Sequence, residues 1–149
     1  MNQKTIDAGL DALRRGEDLN HPDIKAARLA VTGKGHEMRR VILESPYAGD
    51  VVANLKYARQ CVRDSVLRGE APIASHLLFT QPGILDDLVP EERALGIAAG
   101  LAWLVHADAM VLYIDRGMSG GMQEAMRAAQ RAGVPTELRA IDAVEVGVA

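Results

Sequence analysis

The sequence predicts a three-layer α/β domain with four to five mostly parallel strands, preceded by a short helical extension. Three observations carry this prediction. From Arg40 onward, short apolar runs of strand length alternate with longer stretches of helical periodicity. The junctions between them are marked by glycine, proline or a capping side chain. A chain of 149 residues with 48% apolar content can bury one proper core and shows no sign of two full domains.

The elements follow in order. Ile6, Leu10 and Leu13 fall on one helical stripe, Gly16 follows the basic pair Arg14 and Arg15, and His21-Pro22 opens a second short helix through Leu29. Thr32-Gly33-Lys34-Gly35-His36 reads as a flexible joint, because Gly33-Lys34 lacks the GxxxxGK[ST] spacing of a phosphate-binding loop. The chain thus divides at Met38 into an extension and linker, residues 1–38, and an α/β domain, residues 39–149. Val41-Ile42-Leu43 is the first strand, and Val52 to Arg68 is a helix ended by Gly69. Pro72-Ile73-Ala74 leads a second strand that runs on through Ser75-His76-Leu77-Leu78-Phe79. After a long loop, Pro90-Glu91-Glu92 starts a helix reaching about Val105, its glutamates suited to the dipole at the amino end. Met110 to Ile114 is a buried third strand, Met122 to Ala132 a helix without breakers, and Val134 to Arg139 a fourth strand. Val144-Glu145-Val146 adds an edge strand or a tail.

Composition excludes several function classes. The net charge of -3 leaves no basic footprint for duplex nucleic acid, although 13 of the 17 cations are arginine. The single cysteine, Cys61, rules out an internal disulfide framework and reads as a small buried hydrophobe. The four histidines show no paired metal spacing, so neither a metal site nor another cofactor is expected. Residues 94–114 are apolar enough to suggest a membrane span, but His106 and Asp108 interrupt them, and a helix, a turn and a strand explain the run better. The polar start Met-Asn-Gln-Lys has no apolar leader, so a cytoplasmic location is expected.

The segment Asp115 to Ala125 is the most informative. It reads as a strand tip, a glycine-rich turn and a helix start, where free amides and the helix dipole favour an anion and Gly117, Gly120 and Gly121 permit close backbone approach. A tight turn that merely needs glycine is the plain alternative. In parallel α/β sheets ligands bind beyond the carboxyl ends of the strands, near the point where strand order reverses. There this sequence places Ser45, Tyr47, Gly49 and Asp50 after the first strand, His76 and Asp86 after the second, and Asp115, Gly117, Met118, Ser119, Gly121 and Met122 after the third. Each has a structural role open to it, such as a helix cap for Asp50 or a satisfied core histidine for His76, but three loops converge on one rim.

The segments SPYAGD with Asn54 following, PIASHLL, LDDLVPEERALG and GMSGGM, in this order, resemble a phage- and bacteria-associated family of domains of unknown function within the nucleoside 2-deoxyribosyltransferase-like superfamily. The resemblance covers about two thirds of the chain, Arg40 to Arg139. It implies a flavodoxin-like fold, commonly oligomeric, and a pocket for a nucleoside or nucleotide. Enzymes of that superfamily break or exchange an N-glycosidic bond, which builds positive charge on the sugar; a carboxylate can trap that charge while a second group assists the departing base. By position, the resemblance implies that Tyr47 flanks the sugar, Asp50 and Asn54 organise the first loop, His76 and Asp86 shape the base side, and Ser119 with Gly121 holds a phosphate or hydroxyl.

The resemblance departs at one position. The family pattern S-x-G-M-x-x-E, started at Ser119, puts its glutamate where this chain has Ala125. Glu124 is one residue early, and one residue turns a helical side chain by about 100°. Either a locally altered helix start brings Glu124 into place, or Asp115 takes over, or the pocket binds without cutting. The expectation is a protein that binds, sequesters or senses a nucleotide-derived ligand, with a glycosidase or transferase using Glu124 or Asp115 as the alternative. A third reading is an oligomeric interaction module. The small residues Gly96, Ala98, Ala99, Gly100 and Ala102, beside Trp103, would either pack on the chain's own sheet or form a self-association face.

Overall fold

The computed structural model describes residues 3–32 and 38–141. Its elements are α1 (Gln3–Arg14), α2 (Pro22–Thr32), β1 (Arg39–Glu44), α3 (Val51–Leu67), β2 (Glu70–Ile73), α4 (Ser75–Leu78), α5 (Pro90–Leu101), β3 (Ala109–Tyr113), α6 (Gly120–Arg131) and β4 (Thr136–Arg139), with one 3-10 turn at Leu104–His106. The four strands are all parallel, in the order β2-β1-β3-β4, with helices on both faces. This is the flavodoxin-like α/β arrangement, carrying an N-terminal helical pair.

Strand parity assigns the two layers. Val41, Leu43, Ala109, Val111 and Tyr113 pack with Tyr57 and Cys61 of α3 on one face. Ile42, Met110 and Leu112 pack with Met122, Ala125 and Ala129 of α6 on the other, together with Leu104. All five residues of β3 are buried, as expected of a central parallel strand covered on both sides. Each large apolar side chain so buried contributes on the order of 1.5–3 kcal/mol. The connections β1-α3-β2 and β3-α6-β4 lead in opposite directions from the centre, so strand order reverses between β1 and β3.

The extension docks beside α3. Arg63 donates to the Leu13 carbonyl at 3.3 Å, Arg14 donates to the Leu67 carbonyl, and Leu10 lies against Gly69. The two helices of the pair touch closely: a Cβ on Gly9 would sit 2.2 Å from Ala27 Cβ.

Several boundaries differ from the sequence expectation. Ser75–Leu78 is one helical turn, α4, and not a continuation of β2, because the Leu77 and Leu78 amides both bond the Ala74 carbonyl at 3.0 Å. Helix α5 ends at Leu101, with the 3-10 turn taking up residues 104–106; α2 runs on to Thr32; β4 begins only at Thr136. Gly96 and Gly100 of α5 face α4 and its loop: a Cβ on Gly100 would lie 2.4 Å from Ser75 Oγ, and one on Gly96 3.3 Å from Leu85, while Ala98 and Ala102 are exposed. The joint Gly33–His36 and the run Val144–Val146 lie outside the described residues. Among the described residues no helix is long and apolar enough to cross a membrane.

Candidate functional site

The turn after β3 forms as its residues require. Gly117 has φ +85°, a conformation that side chains rarely adopt, and it bends the chain from strand toward helix. Ser119 is the N-cap of α6, its hydroxyl accepting the Met122 amide at 3.2 Å. Gly120 has open space where a Cβ would be, and Gly121 meets only Ser119 Oγ at 3.9 Å. The amino end of α6 is therefore open to a neighbouring molecule.

It faces a cavity of about 750 Å³ bounded by α5, α6, α4 and the loop after β1. Ser45, Tyr47, His76, Ser119, Gly121, Met122 and Glu124, all expected at the site, line it together. Gly49 and Asp86 line an adjoining recess of about 840 Å³ with Tyr47, Asp87 and Arg93. The others support the walls. Asp50 caps α3 through the Ala53 amide at 3.1 Å. Asn54 donates to the Tyr47 and Ala48 carbonyls at 3.0 and 3.1 Å and accepts from Arg116 Nε at 3.0 Å, joining the loop after β1 to the turn after β3. Met118 packs against the α6-side core, and Gly117 shapes the turn without lining the cavity.

The two candidate carboxylates part company. Asp115 accepts from the Tyr57 hydroxyl and from the Ile141 amide at 3.1 Å, on the α3 face and away from the cavity. Burial, then the hydrogen bond to Asp115, pushes the Tyr57 phenol far above its ordinary pKa. Glu124 does line the cavity, at its exposed rim, with Arg127 2.5 Å away. Ala125 is buried in the wall.

His76 lies 2.7 Å from Ser45 Oγ through Nε2, while its Nδ1 is buried without a hydrogen-bond partner among the described residues. Burial lowers its pKa to about 4, so the ring is neutral near pH 7. A neutral imidazole beside a hydroxyl can exchange a hydrogen bond in either direction, the tautomer setting which group donates.

The sequence reading missed Glu44. This last residue of β1 shares parity with Ile42, so it faces the α6 side and lines the cavity. Burial raises its pKa to about 7. The sequence held a signal for it: a charged residue closing an apolar strand, at the parity of a core position. Asp87, beside Asp86 in the loop expected at the rim, lines the cavity as well, and Glu92, Arg93 and Arg131 line it but were missed. Those three come from two helices whose faces only the tertiary packing sets.

A family model matches residues 39–139, from the first residue of β1 to the last of β4. The chain belongs to the family of the domain of unknown function DUF7768. No curated protein and no solved structure matches it. The DUF7768 domain accordingly contains the whole sheet and the described cavity, and α1 and α2 precede it.

Proposed function

We propose that this DUF7768 domain binds a nucleoside- or nucleotide-derived small molecule in the cavity between α5 and α6, and sequesters or senses it. One observation carries the reading. Residues from the segments that follow three separate strands, including Ser45, Tyr47, His76 of α4 and Ser119, line one cavity of about 750 Å³ at the carboxyl ends of β1 and β3. That volume falls within the range of roughly 300–1,000 Å³ typical of small-molecule sites. The motif resemblance to the nucleoside 2-deoxyribosyltransferase-like superfamily supplies the ligand class, and Ala125 in place of that pattern's glutamate favours binding over cutting. Calorimetric titration with a panel of nucleosides and their monophosphates tests it; micromolar binding without release of free base is the expected result. Absence of binding by every member overturns the reading.

The placement of Glu124 favours a second reading, glycosidic bond cleavage, because this carboxylate lines the cavity while Asp115 is engaged on the other face. Base release that disappears in Glu124→Ala would establish it in place of the first. A self-association face is the third. Leu95, Ile97 and Trp103 on and beside α5 are 62%, 52% and 49% exposed, an apolar surface that a second copy of this chain would cover. Sedimentation over a range of concentrations decides it, and a monomer throughout removes it.

A further inference from the structure

Glu44 stands apart among the cavity carboxylates. Asp87 pairs with Arg93 at 2.8 Å, Glu92 accepts the Asp86 amide at 2.5 Å, and Glu124 pairs with Arg127. The Glu44 carboxyl is half-buried in the cavity wall and makes no hydrogen bond or ion pair among the described residues. The cavity wall it shares includes the apolar Leu101, Met122, Ala125 and Ala128. Its oxygens accept from whatever donor enters the cavity.

The charge of the wall narrows what that something is. Four carboxylates line the cavity against two guanidiniums, Arg93 and Arg131; Arg93 is paired with Asp87 and Glu124 with Arg127 behind it, which leaves Glu44 and Glu92 against Arg131. At the amino end of α6 the Met122 amide is taken by Ser119, which leaves those of Gly120 and Gly121 at the cavity. A phosphate, with about two negative charges near neutral pH, would enter a site of surplus negative charge. A group that donates N–H bonds and carries no negative charge would relieve it.

We propose that Glu44 is the recognition carboxyl of the cavity, and that the ligand carries no phosphate and meets Glu44 with N–H donors, as the amino-bearing edge of a nucleobase does. This rests on the nucleoside or nucleotide reading above and narrows it to the nucleoside. The buried carboxyl has its pKa pushed up to about 7, and N–H donors favour its ionised form, so the ligand drives the proton off as it binds. Affinity therefore rises with pH across neutrality and levels off above it. If only the ionised form binds, the gain between pH 6 and 8 is roughly tenfold. The other titratable groups facing the cavity are Tyr47 from the loop after β1, His76 from α4, Asp87 before α5, Glu92 and Arg93 from α5, and Glu124 and Arg131 from α6. His76, with a pKa near 4, stays neutral across that window.

The test is calorimetry on the full chain with adenosine, cytidine, guanosine, uridine and their 5′-monophosphates at pH 6, 7 and 8, repeated for Glu44→Gln. The expected result is a nucleoside that binds at least tenfold more tightly than its monophosphate, with the stated rise in affinity. Glu44→Gln should weaken that binding and flatten its pH dependence. A monophosphate binding as tightly as its nucleoside overturns the proposal, and that comparison needs no variant. Wild-type affinity and pH slope in Glu44→Gln overturn it too. Both results leave the nucleoside or nucleotide reading standing, whereas silence across the whole panel overturns both.

Discussion

The Ser45 hydroxyl lies 2.7 Å from His76 Nε2, tying the loop after β1 to the short helix after β2 on one wall of the cavity. The folded pKa of His76, near 4, lies below its ordinary 6.5. Stability from the neutral ring is therefore fully present above about 6.5 and lost as pH falls through about 4. We expect the melting temperature to fall across that interval, and less steeply in His76→Gln. Thermal melts of both proteins at a series of pH values check this; identical acid limbs would remove His76 as the cause.

Glu44 acts in the opposite sense. Its folded pKa, about 7, lies above the ordinary 4.5, so the stability of the protonated carboxyl is full below 4.5 and lost as pH rises through 7. A shift of that size corresponds to about 3 kcal/mol. Glu44→Gln should therefore be more stable than the parent above pH 7, by up to that amount, and should lose the advantage at pH 4. Urea denaturation at the two pH values measures the difference.

Glycine placement separates fold from site. A Cβ at position 100 would lie 2.4 Å from Ser75 Oγ and 2.7 Å from Ser75 Cβ, so Gly100→Ala must push α5 off α4. A cost of about 1–3 kcal/mol is expected from such overpacking. At Gly120 a Cβ meets nothing within 4 Å and projects at the cavity mouth. Gly120→Ala should melt like the parent while binding ligand less well. Melting curves and titrations on the two variants should give opposite profiles.

Across the α3 side of the sheet, Arg139 bonds Glu70 through both terminal nitrogens, at 2.8 and 2.6 Å, and Ser65 donates to the same carboxylate at 2.6 Å. Burial would raise the Glu70 pKa, but the Arg139 and Ser65 hydrogen bonds outweigh it and the net shift is downward. Arg139→Ala removes the bidentate partner and leaves this buried carboxylate the Ser65 hydroxyl and Arg39, 3.4 Å away, so a cost of about 1–3 kcal/mol is expected. Arg139→Lys should recover only part, since a lysine cannot supply the fork. Chemical denaturation ranks the three proteins.

Cys61 is fully buried between α3 and the sheet, and burial pushes its thiol pKa up to about 12. A thiol that stays protonated is a poor nucleophile. The native protein should leave a thiol-specific chromogenic reagent unreacted at about pH 8 and consume one equivalent on unfolding. Rapid labelling of the native state would show that the helix opens locally.

The architecture was legible because strands buried on both faces are recorded as unbroken apolar runs. Met110 to Ile114 is an example, and the glycine-rich turn behind it fixed the rim where seven expected residues meet. Leu77-Leu78-Phe79 misled because a short apolar run has no period with which to tell a strand from one helical turn. Asp115 was assigned to the rim by its place at a strand end, but only the packing of Tyr57 shows that it turns to the other face. The Glu70–Arg139 pair joins residues 69 positions apart, on opposite edge strands, and needs the strand order before it can be seen.

The Asn54 amide has a mechanical consequence. By gripping two carbonyls of the loop after β1 and the Arg116 guanidinium beyond β3, it rivets both lips of the sheet-side opening together. The opposite lip is α5, much of which is exposed and which leans on α4 through bare glycine contacts. We expect the riveted jaw to yield less than the exposed one. Ligand analogues enlarged toward Ile97 should then be tolerated, whereas the same bulk directed at Ser119 should be refused.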